Sequence, residues 1–176
     1  MLNIPLLEKI RSKSVRVGVI GLGYVGLPFA VNAHQRGLNV VGFDVNAAKV
    51  KEIAGGRSPV GDVTDSELAQ ALANGMTVST ERSAIKGADA YIICVPSPLG
   101  AGREPDLSYI RAATALVVDV IGNGALVSLE STTYPGTTDD IIAKALSDAG
   151  FEIDRDVFVA YSPERVNPAS DTAIHT

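Results

Sequence analysis

The 176-residue sequence has no tryptophan and only one cysteine, Cys94. A single cysteine cannot form an internal disulfide bond or a four-cysteine zinc site, so a disulfide scaffold and a zinc module of that kind are excluded. The two histidines, His34 and His175, have no metal-ligand company in the sequence. We therefore expect no metal site, and we expect Cys94 to behave as a small buried hydrophobic residue.

Long apolar runs are also missing. No stretch of about 18 apolar residues occurs, so no membrane-spanning helix is predicted. The opening residues, MLNIPLLEKI, lack the basic start and the long apolar stretch of a secretory signal. We predict a lead-in helix within residues 1–14, a domain over residues 15–176, and a cytoplasmic protein.

Basic residues are fewer than acidic ones: 15 Lys and Arg against 20 Asp and Glu give a net charge of −5. This balance disfavours nucleic acid as a partner, because nucleic-acid binders normally carry a basic patch. It does not disfavour a phosphorylated small molecule, since a few backbone amides can hold a phosphate on an acidic protein. With 46% hydrophobic and 20% charged residues, the composition is that of a folded globular domain.

Short apolar segments alternate with helical patterns along the chain, which is typical of an α/β fold with a parallel sheet covered on both faces. Strands are predicted over residues 15–20, 40–44, 76–79, 90–95, 125–129 and 157–161. Longer helices are predicted over residues 25–36, 46–54, 65–74, 107–121 and 137–149. We predict a Rossmann-type doubly wound sheet of about six strands in the order 3-2-1-4-5-6, which binds ligands at the carboxyl ends of its strands.

The first predicted strand is followed by Gly21-Leu22-Gly23-Tyr24-Val25-Gly26, which matches the G-x-G-x-x-G pattern of dinucleotide-binding loops. In that pattern Gly21 allows a tight turn, Gly23 lets a pyrophosphate approach the backbone, and Gly26 lets the helix pack close to the strand. The helix N-terminus supplies unpaired amides for the pyrophosphate. We expect Tyr24 and Val25 to contact the cofactor as well. A purely structural glycine-rich turn is the alternative.

An acidic residue, Asp44, ends the second predicted strand 18 residues after Gly26. A carboxylate there can accept hydrogen bonds from the adenosine ribose of NAD and would repel the 2′-phosphate of NADP. Lys49, about one helical turn into the next helix, could reach the same ribose or could be an ordinary solvated lysine. We therefore expect NAD rather than NADP.

Five separated motifs, in order along the chain, resemble those of the UDP-sugar 6-dehydrogenases of the UDP-glucose and UDP-N-acetylhexosamine types. They are Gly21–Pro28, Val95–Leu99, Pro105–Tyr109, Glu130–Thr138 and Ser162–Pro168. The Ser-Pro-Glu-Arg form of the last motif is more similar to the N-acetylhexosamine branch. The resemblance implies a role in making precursors of capsule or envelope polysaccharides.

The resemblance implies oxidation of a sugar C6 alcohol to a carboxylate with two NAD, through a cysteine-bound thiohemiacetal and thioester. It places Thr132 beside the reacting centre, and Glu164 as the base or water-orienting group for thioester hydrolysis. It assigns Val95, Pro96 and Ser97 to the cofactor side, with Ser97 standing where the family usually has threonine. It assigns Arg165, Val166 and Asn167 to the nucleotide-sugar site. From the residues alone, Thr132 could equally be a turn or helix-capping residue, and Glu164 a surface acid.

Several family features are missing from the 176 residues: the segment with the nucleophilic cysteine, the helical domain with the catalytic lysine and asparagine, and the C-terminal nucleotide-sugar domain. Ala169 also replaces an expected glycine. We therefore expect a fragment that binds NAD without turnover, from a protein that is homodimeric at full length. The alternatives are another Rossmann dehydrogenase, of the 6-phosphogluconate or hydroxyisobutyrate type, and a non-enzymatic dinucleotide sensor. The Glu-Ser-Thr-Thr-Tyr-Pro-Gly segment weighs against the first, and the Ser-Pro-Glu-Arg segment against the second.

Overall fold

A computed structural model describes residues 5–98 and 104–163 of the chain. The predicted site residues Glu164, Arg165, Val166 and Asn167 lie outside the described residues. Among the described helices none is long and apolar enough to cross a membrane.

The described strands form one parallel sheet in the order β3-β2-β1-β4-β5-β6, which confirms the predicted topology. They are β1 (Arg16–Ile20), β2 (Asn39–Phe43), β3 (Thr77–Ser79), β4 (Ala90–Ile93), β5 (Leu126–Leu129) and β6 (Phe158–Tyr161). The α-helices are α1 (Pro5–Arg11), α2 (Gly26–Gln35), α3 (Ala47–Ala54), α4 (Asp65–Ala73), α5 (Ser108–Val120) and α6 (Lys144–Asp148). A 3₁₀ turn spans Arg82–Ile85 and a π-helical segment spans Thr138–Ala143.

Apolar residues cover both faces of the sheet, as a parallel sheet flanked by crossover helices requires. On one face Val19 packs in a cluster with Leu27 of α2 and Leu68 of α4. On the other face Ile93 and Leu129 pack in a cluster with residues of α5 and α6. The central strands are therefore mostly apolar, with Ser128 inside β5 as an exception, and the polar and glycine-rich motifs follow their carboxyl ends.

Local signals at the helix ends agree with the predicted boundaries to within one or two residues. α4 begins with a capping box: the Glu67 amide donates to Thr64 Oγ1 at 3.2 Å, and the Thr64 amide donates to Glu67 Oε2 at 2.9 Å. Asn46 caps α3 by accepting from the Lys49 amide at 3.1 Å. Because each cap satisfies amides that have no partner inside the helix, these side chains define where the helices begin.

The helix after β5 differs from the single α-helix predicted over residues 137–149. Its first part, Thr138–Ala143, is π-helical, and α6 follows directly. Thr137, which is completely buried, precedes the wide turn and donates through its hydroxyl to the Tyr134 carbonyl at 2.9 Å. The apolar positions Ile141, Ile142 and Leu146 fit either helix type by spacing alone, so sequence periodicity could not distinguish them.

Candidate dinucleotide site

The carboxyl ends of the parallel strands meet at one edge of the sheet, where α/β proteins bind ligands. The glycine-rich loop leaves β1 at this edge, and Asp44 directly follows β2. Residues 94–98 follow β4, and Glu130 directly follows β5. The fold thus brings the predicted motifs of four strands to one side of the molecule.

Two glycines of the loop are required by the protein's own packing. Gly21 has a φ of +92°, and a Cβ built on it would lie 2.7 Å from the Cys94 carbonyl oxygen. A Cβ on Gly26 would lie 1.8 Å from the Gly21 carbonyl oxygen. Any side chain at either position would therefore force the loop away from β4 or lift the start of α2 from the sheet.

Gly23 is different, because nothing in the described chain lies within 4 Å of a Cβ built there, and its φ is not in the left-handed region. Internal packing therefore does not explain this glycine. The N-cap residue of α2, Val25, provides no side-chain cap, and the first turn of α2 contains no acidic residue. Unpaired amides at a helix N-terminus attract phosphate groups.

Asp44 is buried and accepts three hydrogen bonds. Its Oδ2 accepts from the Leu22 amide at 2.9 Å and from Lys49 Nζ at 2.8 Å, and its Oδ1 accepts from the Asn46 amide at 2.9 Å. Burial acts to raise the pKa of Asp44, but the Lys49 hydrogen bond, the two amides and the lysine charge together lower it below its ordinary value. Asp44 is therefore a carboxylate at neutral pH, and it connects the end of β2 to the glycine-rich loop.

The ends of β4 and β5 are tied together by side-chain and backbone bonds. Ser131 Oγ donates to the Val95 carbonyl at 2.6 Å, and the Glu130 amide donates to the Ile93 carbonyl at 2.9 Å. Two residues beyond Val95, the Ser97 Oγ is buried and has no hydrogen-bond partner among the described residues. A buried hydroxyl without a partner costs free energy, so a bound group that pairs with Ser97 would be favoured.

The structure brings some predicted residues together and leaves others apart. Asp44 and Lys49 are directly bonded beside the loop, and Thr132 lies exposed after β5. The neighbouring hydroxyls of Thr133 and Thr137 pair with each other at 2.8 Å. The Asp44 bond to the Leu22 amide and the Ser131 bond to Val95 were not predicted, because neither is encoded by a local spacing.

Comparison with known proteins agrees with this geometry. Residues 15–175 match the family model described as UDP-glucose/GDP-mannose dehydrogenase family, NAD binding domain. The chain is 39% identical over 156 residues to a UDP-N-acetyl-D-mannosamine dehydrogenase of Pyrococcus horikoshii, covering 88% of this chain and 37% of the relative. It is 39% identical over 155 residues to a UDP-N-acetyl-D-glucosamine 6-dehydrogenase of Salmonella typhi, covering 88% and 36%.

A solved structure of the Pyrococcus horikoshii UDP-D-ManNAc dehydrogenase superposes with a TM-score of 0.81, again over 88% of this chain and 37% of that chain, at 39% identity. The chain thus spans little more than a third of the length of the relatives it matches. The family model matches nearly all of the chain, and the sheet order and the loop geometry agree with that match. The chain belongs to the UDP-glucose/GDP-mannose dehydrogenase family and comprises the NAD-binding domain of that family.

Proposed function

We propose that this chain holds NAD along the carboxyl edge of the sheet, with the pyrophosphate against the N-terminus of α2. Gly21, Gly23 and Gly26 shape the loop, and the backbone of Tyr24 and Val25 faces the phosphates. The observation that carries the proposal is the open space at Gly23 beside a helix end that has neither a side-chain cap nor an acidic first turn. NAD, when bound, supplies the hydride acceptor for oxidation of an alcohol.

The adenosine ribose is proposed to lie over Asp44. Among the described residues only the Asn46 amide donates a hydrogen bond to Asp44 Oδ1, so this oxygen can accept a further bond from a ribose hydroxyl. A 2′-phosphate at the same place would face an ionised carboxylate, which supports NAD over NADP. Lys49 is already bonded to Asp44, so in this proposal it orients the carboxylate and lowers its pKa rather than serving as a phosphate ligand.

The nicotinamide half is proposed to extend toward the ends of β4 and β5, over Val95, Pro96, Ser97 and Thr132. The Ser97 hydroxyl supports this placement, because it is buried and has no partner in the part of the chain that is described. Thr132 supports it because its side chain is exposed at the end of the neighbouring strand.

For the longer protein, we propose oxidation of the C6 alcohol of a UDP-sugar to a carboxylate with two NAD. Two observations support it: the matched family and relatives that are named as UDP-N-acetylhexosamine dehydrogenases. Those names favour a UDP-N-acetylhexosamine as the substrate. In this proposal Glu164 assists hydrolysis, Arg165, Val166 and Asn167 contact the nucleotide-sugar, and the full-length protein is a homodimer in the cytoplasm.

The 176-residue chain by itself is proposed to bind NAD without turnover. Its only cysteine, Cys94, is 7% exposed and packs in the core cluster beneath α2. A thiol buried there cannot reach a sugar aldehyde to attack it. Mixing the chain with NAD and UDP-N-acetylmannosamine or UDP-N-acetylglucosamine should produce no NADH absorbance. Steady NADH formation would overturn this part of the proposal.

The binding proposal is tested by calorimetric titration of the chain with NAD and, separately, with NADP. Saturable binding of NAD and at least about tenfold weaker binding of NADP are expected, since ionised Asp44 opposes a 2′-phosphate. Failure of both ligands to bind a chain that circular dichroism shows to be folded would overturn the proposed site. Equal binding of the two would overturn the role of Asp44 alone.

A further inference from the structure

A second buried carboxylate lies at the same edge of the sheet, on the other side of the glycine-rich loop from Asp44. Glu130 directly follows β5 and is only 8% exposed. Its Oε1 accepts a hydrogen bond from Ser128 Oγ at 2.7 Å, two residues earlier in the chain. In the described part of the chain this is the one hydrogen bond its carboxylate accepts, and no described cation pairs with it.

This arrangement is incomplete for a buried acid. An ionised carboxylate has room for about four hydrogen bonds, and burying it is costly unless it is paired. Asp44, in contrast, accepts hydrogen bonds from two backbone amides and from a lysine. Glu130 has a single neutral donor. Its other oxygen accepts no hydrogen bond from the described residues and is open to pairing with water or with a bound group.

The register of the sheet fixes the face on which Glu130 lies. Ser128 pairs with Ile92 of β4, and Ile92 and Cys94 belong to the core cluster that also contains Leu27 of α2. Because side chains alternate along a strand, Ser128 and Glu130 point to this same face. The α2 side of the sheet thus carries both the phosphate-binding helix end and the Glu130 carboxylate.

Glu130 and that helix end both lie beside the end of β4. A Cβ on Gly26, the first residue of α2, would lie 3.1 Å from Cys94 Cβ. The Glu130 amide is bonded to the carbonyl of Ile93, which precedes Cys94. Glu130 is therefore about one strand spacing, ~4.8 Å, from the strand that α2 begins against.

The two acids lie on opposite sides of the pyrophosphate position. Asp44 follows β2, on one side of β1, and Glu130 follows β5, beyond β4 on the other side. A dinucleotide has one nucleoside on each side of its pyrophosphate. With the adenosine at Asp44, the nicotinamide riboside extends toward Glu130. That half carries an amide, two ribose hydroxyls and, in the oxidised cofactor, a positively charged ring.

We propose that Glu130, oriented by Ser128, is a cofactor-positioning residue for the nicotinamide riboside half of NAD. Its carboxylate accepts a hydrogen bond from that half and favours the cationic oxidised ring over the neutral reduced ring. This inference rests on the NAD site proposed above. It predicts that Glu130 contributes to the preference for NAD over NADH, and that it contributes nothing to binding of ADP-ribose, which lacks the nicotinamide.

The test is titration of the 176-residue chain and its variants with NAD, NADH and ADP-ribose. Glu130→Gln keeps the shape and removes the charge, so NAD affinity should fall about tenfold, NADH affinity by less, and ADP-ribose affinity by less than about twofold. Asp139→Asn removes an exposed negative charge from the segment after β5 and should leave all three affinities unchanged. Ser128→Ala leaves the charge but frees its orientation, and should lower the NAD to NADH affinity ratio less than Glu130→Gln does.

Other outcomes contradict the inference in distinguishable ways. Equal losses for all three ligands in Glu130→Gln would show a general structural role, and unchanged affinities would show that the partner of Glu130 is not the cofactor. If Glu130→Gln does not fold, an unchanged NAD to NADH ratio in folded Ser128→Ala overturns the inference. A folded native chain that binds none of the three ligands overturns the NAD site, and the role of Glu130 with it.

Discussion

Asp44 and Leu22 are joined by a 2.9 Å hydrogen bond in which the backbone amide inside the glycine-rich loop donates to the carboxylate at the end of β2. The acid proposed to hold the ribose therefore also holds the loop proposed to bind the pyrophosphate. Loss of the carboxylate should affect both halves of the site, which makes Asp44 the most informative position for mutation.

Asp44→Ala should weaken NAD binding by more than the loss of a ribose contact alone. The substitution leaves the Leu22 amide and the Lys49 ammonium without their buried acceptor, and such losses are typically large. We expect at least about a hundredfold fall in NAD affinity by calorimetry. ADP-ribose should lose as much affinity as NAD. A fall confined to NAD would show that Asp44 contacts the nicotinamide half instead.

Gly23→Ala and Gly26→Ala should distinguish a glycine that is needed for ligand binding from one that is needed for internal packing. A methyl group at Gly23 meets nothing in the described chain, so the melting temperature should change little while NAD affinity falls about tenfold or more. A methyl group at Gly26 would lie 1.8 Å from a backbone oxygen, so the free energy of unfolding should fall by about 3 kcal/mol or more. Thermal melts with and without NAD provide both measurements. Normal NAD affinity in folded Gly23→Ala would place the pyrophosphate elsewhere.

Lys49→Met should lower the stability of the chain at neutral pH and make it less dependent on pH in the acid range. The pKa of Asp44 is lowered below its ordinary 3.8 in the folded chain, so the stability that its ionisation contributes is present above that value and is lost as the pH falls through the lowered pKa. Removing Lys49 removes both its hydrogen bond and its charge, so less of this stability should be present at neutral pH and less should be lost as the pH falls below 3.8. Urea unfolding at several pH values between about 3 and 7 measures this.

The matched control for that experiment is Lys51→Met, because Lys51 is an exposed lysine on the same helix. Its acid unfolding profile should follow that of the unmodified chain. Identical profiles for Lys49→Met and Lys51→Met would contradict the assignment of the lowered pKa to the Lys49 contact.

Thr64→Ala should reduce stability without touching the cofactor site. The change removes the side chain that caps α4 and so leaves the Glu67 amide without its acceptor. A loss of about 1 kcal/mol in the free energy of unfolding is expected from chemical denaturation. NAD affinity should stay within about twofold, since the Thr64–Glu67 cap makes no hydrogen bond to a residue of the proposed NAD site. A larger fall in affinity would indicate coupling between α4 and the glycine-rich loop.

The sheet order could be predicted from sequence because each strand is a short apolar run between helical patterns, and right-handed crossovers leave few ways to connect them. Gly21, Gly26 and the Thr64–Glu67 cap were also predictable, because each depends on a fixed local spacing. The Leu22–Asp44 and Ser131–Val95 bonds join residues distant in sequence and depend on three-dimensional register. Ser128 and Glu130 did carry a signal, since they are polar residues at alternate positions, one within the otherwise apolar β5 and one directly after it.

The π-helical segment after β5 has a consequence for changes in chain length. A hydrogen bond in a π-helix joins residues five apart, whereas one in an α-helix joins residues four apart, so a π turn contains about one residue more. Deleting one exposed residue from Thr138–Ala143, such as Asp139, would let the segment close as an ordinary α-helix and leave α6 in its present register. The same deletion inside a regular helix such as α5 would rotate every later residue by about 100° and expose its apolar face. The connection between β5 and β6 can therefore accept the loss of a residue that a regular helix such as α5 cannot.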